Sequence, residues 1–365
     1  MGEPLYVPVL PTTRAARTAY TRLDRRVRQR IAPLWTVVPR LGPERARGLH
    51  PVPDPEAGQV GLHTWLTPRI DGLVAATGDH GGWVDATHVE RLVDASATGL
   101  WNLMTSSRLR LITGPERDIR HQRHAADLAF LSGRGLGIRV LLDNPPDEPR
   151  STQLLALIER LRLPPSQLDL LLDVGPAHDP VEAGKTALMA LDLLGPLVPW
   201  RTVVLTSGSF PRVLENLATQ PRRIIRRHDW DLYRSVRDAR PALSSRVIYG
   251  DYSVEHVFSA NMAAVRHRGP GWGLLRYTAP DTFLVAQVPT RGPGHVSRAR
   301  AGARWIVESD SFRAPDGIHG SEGERWLHAS AHGDGPDGSG NAEKWMQVGH
   351  IQHMNFVVDQ LAGLG

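Results

Sequence analysis

The chain has 365 residues, a formal net charge of +5 at pH 7, and a composition that is 41% hydrophobic and 22% charged. These values are typical of a globular protein and exclude overall disorder. The absence of cysteine excludes a disulfide scaffold, a thiolate zinc site, an iron–sulfur cluster and a cysteine nucleophile.

Short apolar runs bounded by turn residues predict eight β-strands. Stretches with helical periodicity separate most of them, and the clearest covers residues 118–132. Ser151 is interpreted as the cap of a helix over 151–163, and Pro211 as a first-turn residue of a helix over 211–218. The predicted strands are Tyr6–Leu10, Leu34–Arg40, Gly82–Ala86, Leu109–Gly114, Gly137–Asp143, Leu168–Val174, Arg201–Ser207 and Ser245–Asp251.

This alternation of strands and helices predicts an α/β fold in which eight parallel strands close a (β/α)8 TIM-like barrel. An open doubly wound sheet is the alternative, but no Gly-x-Gly-x-x-Gly follows the first strand. We expect a single domain over 1–365, with the barrel core over about 5–255 and a C-terminal elaboration over about 256–365. The elaboration is predicted to hold a hairpin, Gly273–Thr278 with Thr282–Val288, and a closing helix, Ala342–Leu361.

Aspartates stand at four of the predicted strand ends, where the active sites of (β/α)8 barrels lie. Alternation with period two places Arg139 and Asp143 on one face of their strand, and Asp169 and Asp173 on one face of the next. These faces are expected to point toward the barrel axis. Such carboxylates would serve acid–base chemistry or bind a divalent metal ion. The candidate catalytic residues are Asp85, Asp143, Asp173 and Asp251.

Two structural alternatives apply to these charged residues. An aspartate at a strand end is a favoured cap of the next helix. Arg139 and Asp169 would, in the other alternative, form a compensated buried pair. Asp251, at the end of the eighth strand, is expected to meet Asp85 or Arg40 across the mouth of the barrel.

A Gly/Ser turn follows the seventh predicted strand, and barrels frequently bind phosphate after strands seven and eight. Free backbone N–H groups at a helix start would hold an anion there. An ordinary Ser-capped helix start is the alternative. The candidate ligand-binding residues are Arg40, Arg139, Ser207, Gly208, Ser209, Arg227, Tyr252 and Arg276.

The basic residues are almost all arginine, since only Lys185 and Lys344 are lysine. This excess agrees with a GC-rich genome or with nucleic-acid binding. Arginine clusters at 25–30 and 222–227 offer contacts to nucleic-acid phosphates, with solvated helix faces as the alternative. His350 and His353 have the i, i+3 spacing of helical metal ligands, but no third ligand is visible, so no metal site is assigned.

A series of short motifs occurs in order along nearly the whole chain: Tyr6–Leu10, Ile31–Trp35, Ser207–Pro211, Arg227–Trp230, Tyr249–Tyr252, Arg276–Thr278, and Trp345 with Gly349 and His353. Together they resemble the beta protein family, which is named for a protein of T-even bacteriophages and is widespread in bacteria. Gln352 stands where the family pattern leads us to expect a second histidine beside His353. The resemblance implies a phage-related, mobile-element or defence-associated setting and supplies no catalytic residues.

The sequence therefore predicts an enzyme or a sensor that binds a phosphate-bearing or other anionic ligand at the carboxyl mouth of a barrel. A scaffold for a protein partner and a nucleic-acid-binding protein remain the alternatives. No signal-peptide pattern and no run of roughly 20 apolar residues occurs, so we expect a cytoplasmic protein without membrane contact.

Overall fold

The computed structural model describes residues 4–39, 59–90, 106–212, 220–244, 246–261, 271–333 and 338–364, without the side chains of 59–65, 244 and 261. Within them, eight parallel strands form a closed barrel, which confirms the predicted (β/α)8 fold. The barrel strands are Tyr6–Pro11 (β1), Leu34–Thr36 (β2), Gly81–Asp85 (β3), Arg108–Thr113 (β4), Leu136–Leu141 (β5), Leu168–Pro176 (β6), Thr202–Gly208 (β7) and Val247–Asp251 (β9).

Helices surround the barrel, and aspartates cap three of them. Asp118 caps the predicted helix that ends at Gly133. The helix predicted to start at Ser151 begins earlier, because the Asp147 side chain accepts the Arg150 N–H. The helices before and around β9 are Arg14–Thr21 (α1), Arg25–Arg28 (α2), Gln59–Thr77 (α3), Ile119–Ser132 (α4), Glu148–Leu161 (α5), Pro180–Leu194 (α6), His228–Ala239 (α7) and Pro241–Ser244 (α8).

A second layer covers one side of the barrel. It contains a three-stranded antiparallel sheet in the order β10–β11–β8, and the predicted hairpin is its β10–β11 pair. The helix predicted over 211–218 falls mainly on residues 213–219, which lie outside the described residues. The elements of this layer are Arg222–Arg226 (β8), Trp272–Thr278 (β10), Thr282–Pro289 (β11), His295–Val307 (α9), Glu322–His332 (α10) and Ala342–Ala362 (α11).

The second arginine cluster lies on β8, so its interpretation as a helix face is wrong. The run pairs with β11 through Arg226 opposite Thr282 and Ile224 opposite Leu284. Alternation along the strand leaves Ile224 exposed, and Arg226 donates two hydrogen bonds to Asp231. Pairing with a strand some 60 residues away in sequence, rather than local periodicity, determines this conformation.

Strand alternation decides which side chains fill the barrel. Val7, Leu34, Ile112, Leu171 and Val204 belong to one apolar cluster inside it. The opposite faces of the same strands pack under the surrounding helices in the larger core. At β9, a Cβ on Gly250 would lie 2.6 Å from Thr206 Oγ1, so close contact of β9 with β7 requires glycine there. Among the described residues, no helix is long and apolar enough to cross a membrane.

Candidate functional site

Four predicted residues meet inside the barrel at the carboxyl ends of its strands, and we call them the inner cluster: Asp85, Arg139, Asp173 and Tyr252. The Arg139 guanidinium donates to Asp85 at 2.6 Å through Nη1 and to Asp173 at 2.9 Å through Nε. The Tyr252 hydroxyl lies 2.6 Å from both Arg139 Nη2 and Asp173 Oδ2. All four side chains are buried.

The inner cluster is a compensated group of charges. Burial alone would raise the pKa of Asp85, but Arg117 and Arg139 lower it to about 2. Burial alone would lower the pKa of Arg139, but Tyr252, Asp173 and Asp85 raise it above its ordinary value. Asp85 is therefore a weak proton acceptor, and the carboxylates hold Arg139 in place.

Sequence reasoning missed two charged residues beside the inner cluster, Arg117 and Glu90. Arg117, in the connection between β4 and α4, donates to the Asp85 carboxylate at 3.0 and 3.2 Å and also pairs with Glu90. Burial raises the pKa of Glu90. Neither residue stands at a strand end, so the barrel rule did not point to them.

Three of the four candidate catalytic aspartates close a local turn at the end of their strands. Each carboxylate accepts the backbone N–H two residues further on, which is an Asx turn. These aspartates therefore shape the strand ends, and none is the N-cap of a described helix. The bonds are Asp85 with Thr87 at 2.9 Å, Asp173 with Gly175 at 2.9 Å, and Asp251 with Ser253 at 2.8 Å.

Asp143 does not join the inner cluster. It is exposed, and β5 ends two residues before it, at Leu141. The expected inward direction of Asp143 is therefore wrong, because strand alternation stops at Leu141. The alternative pairing of Arg139 with Asp169 is also wrong, since Asp169 binds Arg110 and Arg201 at the other end of the barrel.

Asp251 belongs to a second group, the outer cluster, made of Tyr6, Asp229, Tyr249, Asp251 and His353. Asp251 Oδ2 lies 2.9 Å from both the Tyr249 hydroxyl and His353 Nε2, and its other oxygen accepts from Tyr6. Tyr249 also donates to Asp229. Burial alone would raise the pKa of Asp251, but His353 and Tyr6 lower it to about 2.

The outer cluster lies on the far side of the barrel wall from the inner one. Tyr249 and Asp251 share one face of β9, and Gly250 and Tyr252 share the other, which faces the barrel interior. The expectation that Asp251 meets Asp85 or Arg40 across the mouth is therefore wrong for Asp85. Arg40 lies outside the described residues.

The predicted phosphate turn is also divided by the barrel wall. Ser207 and Gly208 are the last residues of β7 rather than part of a loop, and both are buried. Ser209 donates to Asp229 of the outer cluster. A Cβ on Gly208 would lie 2.6 Å from Val257 and 3.1 Å from Tyr252, so glycine allows these side chains to cover the strand end.

Two of the proposed anion-binding arginines have internal partners instead. Arg227 is fully buried and donates to the carbonyls of Ala279 and Pro280 and to Gln360. It therefore joins α7 to the second layer and is not available to a ligand. Arg276 donates to the Leu274 carbonyl, and burial lowers its pKa to about 10.

The two histidines of α11 form hydrogen bonds with different partners. His350 lies 2.9 Å from both the Ser253 hydroxyl and Glu255. His353 bonds Thr278 through Nδ1 at 2.8 Å and Asp251 through Nε2. Over the described part of the chain, no three histidine or acidic side chains are grouped to hold a metal ion.

Three basic side chains gather around the mouth, and we call them the rim group: His178, Arg212 and His256. They follow β6, β7 and β9, respectively. Burial lowers the pKa of His256, and the nearby His178 and Arg212 lower it further. His178 and Arg212 are exposed, whereas His256 is buried and its Nδ1 accepts the Phe258 N–H at 3.2 Å. The rim group was missed because its members are far apart in sequence.

Comparison with known proteins identifies a family. A family model described as Beta protein matches residues 6–359. No curated protein matches the sequence. Among solved structures, tryptophan synthase from Mycobacterium tuberculosis is similar over 69% of this chain and 84% of its own, with 17% identity and a TM-score of 0.26. We infer nothing further from a likeness of that size.

Proposed function

The chain belongs to the beta protein family, and on this premise we propose that it binds a small phosphate-bearing or other anionic ligand at the carboxyl mouth of its barrel. The observation that carries the proposal is the rim group around the mouth. Arg212 is exposed beside the mouth, and the pKa of His256 is lowered by burial first and then by the nearby His178 and Arg212. An anion would relieve this repulsion.

The inner cluster provides the base of the proposed site. Arg139 is held between Asp85 and Asp173, so its guanidinium has a fixed direction rather than free rotation. The Tyr252 hydroxyl lies at the same level, and the Tyr252 ring packs over the end of β7 at Gly208. These groups would orient the ligand, while the rim group would supply the attraction.

The geometry supports binding more directly than catalysis. The carboxylates of Asp85 and Asp173 already accept hydrogen bonds from Arg139, and Asp85 is ionised down to a pH of about 2. In the phage-related or defence-associated setting that the family resemblance implies, the ligand would be a signal that the protein reads. A nucleotide is the class of signal that carries the required charge.

Sulfate binding measured by calorimetry between pH 8 and pH 5.5 tests the proposal, because sulfate keeps its charge over this range. We expect affinity to increase as the pH falls toward the ordinary histidine range of about 6.5, since the anion favours protonated His256. His256→Gln should reduce this pH dependence, and Arg212→Gln should weaken binding about tenfold.

Arg123→Gln is the matched control for charge, because Arg123 is an exposed arginine on α4. It should bind sulfate like the unchanged protein. Tyr252→Phe should weaken binding about threefold by removing one hydroxyl from the base of the site. Equal affinities for the unchanged protein and for the Arg212 and His256 variants would disprove the proposal.

A further inference from the structure

A cavity of about 700 Å³ opens at the amino end of the barrel, opposite the mouth. Arginines at the starts of three strands line it: Arg108 and Arg110 on β4, Arg134 just before β5, and Arg201 just before β7. We call it the amino-end pocket. Its lining also includes the apolar residues Pro4, Ile31 and Ala32.

Two of the four arginines share one carboxylate. Asp169 is fully buried and accepts from Arg110 at 2.9 Å and from Arg201 at 2.7 Å through two nitrogens. Neither Arg108 nor Arg134 forms an ion pair within the described residues. The described lining of the amino-end pocket contains no aspartate or glutamate.

The arginines are held in defined positions. The Trp83 indole also donates to Asp169 at 2.8 Å, and the Arg110 guanidinium stacks over the Trp83 ring at 4.4 Å. Arg201 donates to the Arg134 carbonyl at 2.8 Å, and Arg134 donates to the Ser107 carbonyl. A positive pocket built on a buried tryptophan and carboxylate is preorganised for an anion.

The lowered pKa values of two of these arginines agree with an excess of positive charge in the amino-end pocket. Burial lowers the pKa of Arg110 to about 10, and repulsion from Arg201 contributes to this shift. Burial and the neighbouring Arg108 lower the pKa of Arg134. Each arginine would therefore be stabilised by a further negative charge in the pocket.

We propose that the amino-end pocket binds a phosphate-bearing small molecule of nucleotide size that carries at least two negative charges. Arg108 and Arg134, which have no carboxylate partner among the described residues, would bind the phosphate oxygens with the fork geometry of guanidinium groups. Pro4, Ile31 and Ala32 would contact the less polar part of the ligand. The volume lies in the range of roughly 300–1,000 Å³ of small-molecule sites. This site is separate from the mouth and does not depend on the function proposed there.

Calorimetric titration with ADP, with pyrophosphate as the charged part and with adenosine as the uncharged part, tests the proposal. The protein should bind ADP, pyrophosphate more weakly, and adenosine weakest, and higher ionic strength should weaken the first two. Arg108→Gln with Arg134→Gln should reduce ADP affinity at least about tenfold. Arg246→Gln is the matched control, because this exposed arginine precedes β9 at the same end and does not line the pocket.

Arg108→Gln alone serves as a second variant, since the exposed Arg108 side chain has no ion pair within the described part of the chain, and it should weaken ADP binding by at least about threefold. Arg212→Gln separates the two proposals, because it alters only the mouth. Absence of saturable ADP binding would overturn the inference, as would equal affinities for the unchanged protein and the Arg108 variants. Loss of ADP binding in the Arg212 variant but not in the Arg108 variants would overturn it too.

Discussion

The inner and outer clusters use the same chemistry on opposite faces of one barrel wall. Each combines two carboxylates with at least one tyrosine hydroxyl and one nitrogen-containing side chain, Arg139 or His353, and each is buried. Tyr252 and Asp251 are neighbours in sequence, yet Tyr252 joins the inner cluster at the mouth and Asp251 the outer one beneath α11. A shift of one residue along β9 thus separates a group that can meet a ligand from a group that joins two layers.

The largest expected effect comes from Asp251→Ala in the outer cluster. This change leaves Tyr6 and His353 without their shared buried acceptor, so the free energy of unfolding should fall by about 3–5 kcal/mol. Urea-induced unfolding measures it. A loss below about 1 kcal/mol would show that the outer cluster does not join the layers.

Arg139→Met should have the next largest effect, because it leaves the Asp173 carboxylate buried without its cation. We expect a loss of about 3 kcal/mol in the free energy of unfolding. Asp173→Asn added to Arg139→Met should restore part of the lost stability. A double-mutant cycle with Asp251→Ala should show coupling below about 0.5 kcal/mol, and a larger value would mean that the two clusters act as one.

The stability of both clusters should depend on acid pH. The pKa of Asp85 and that of Asp251 are about 2 in the folded chain, below the ordinary value of 3.8. A depressed folded pKa stabilises the protein above pH 3.8, and this contribution is lost as the pH falls toward 2. Each carboxylate should contribute about 2 kcal/mol.

Urea unfolding between pH 5 and pH 2.5 checks this expectation. Asp85→Asn and Asp251→Asn should each remove a similar share of the pH-dependent part, since both pKa values are lowered to about 2 and the two carboxylates lie in different clusters. If one of these variants removes all of it, the other aspartate is not ionised as the hydrogen bonds indicate.

Tyr249→Phe and Tyr252→Phe give the finest comparison, because each removes one hydroxyl from one cluster. Both should reduce the free energy of unfolding by about 1–2 kcal/mol. Only Tyr252→Phe should also weaken sulfate binding, because Tyr249 lies outside the barrel wall. Equal weakening by the two variants would contradict the separation of the clusters.

Asp143→Ala should have the smallest effect, within about 0.5 kcal/mol, because the side chain is exposed and follows the end of β5. It is the matched control for Asp251→Ala, since both change aspartate to alanine after a barrel strand. A large loss on this change would place Asp143 back in the site.

The barrel was predictable because its strands and caps carry strong local signals. The alternation of Arg139 with apolar neighbours correctly identified the inward face of β5, and Gly133 correctly ended α4. Strand ends are harder to predict. Strand alternation places Asp143 on a face of β5 that ends at Leu141, and the helix-face alternative for the second arginine cluster fails because the partner strand of β8 is distant in sequence.

The partners of each charge were not predictable from the sequence. Arg139 had two candidate carboxylates on β6, and only the length of the barrel decides that Asp173 lies at its level while Asp169 lies at the other end. The residues of the rim group come from three different connections that follow barrel strands, and no regular spacing in the sequence relates them. Residues brought together by closure of a barrel leave no local pattern.

The bond between Tyr6 and His353 joins residues from the two ends of the chain, and α1 and α11 pack beside it. During synthesis, β1 emerges long before α11, which carries a partner of its outer face. We therefore expect a nascent chain that ends before residue 353 to keep β1 only loosely paired and accessible to proteases. Ribosome-bound chains of increasing length should become protease-resistant over this segment only once α11 has left the exit tunnel.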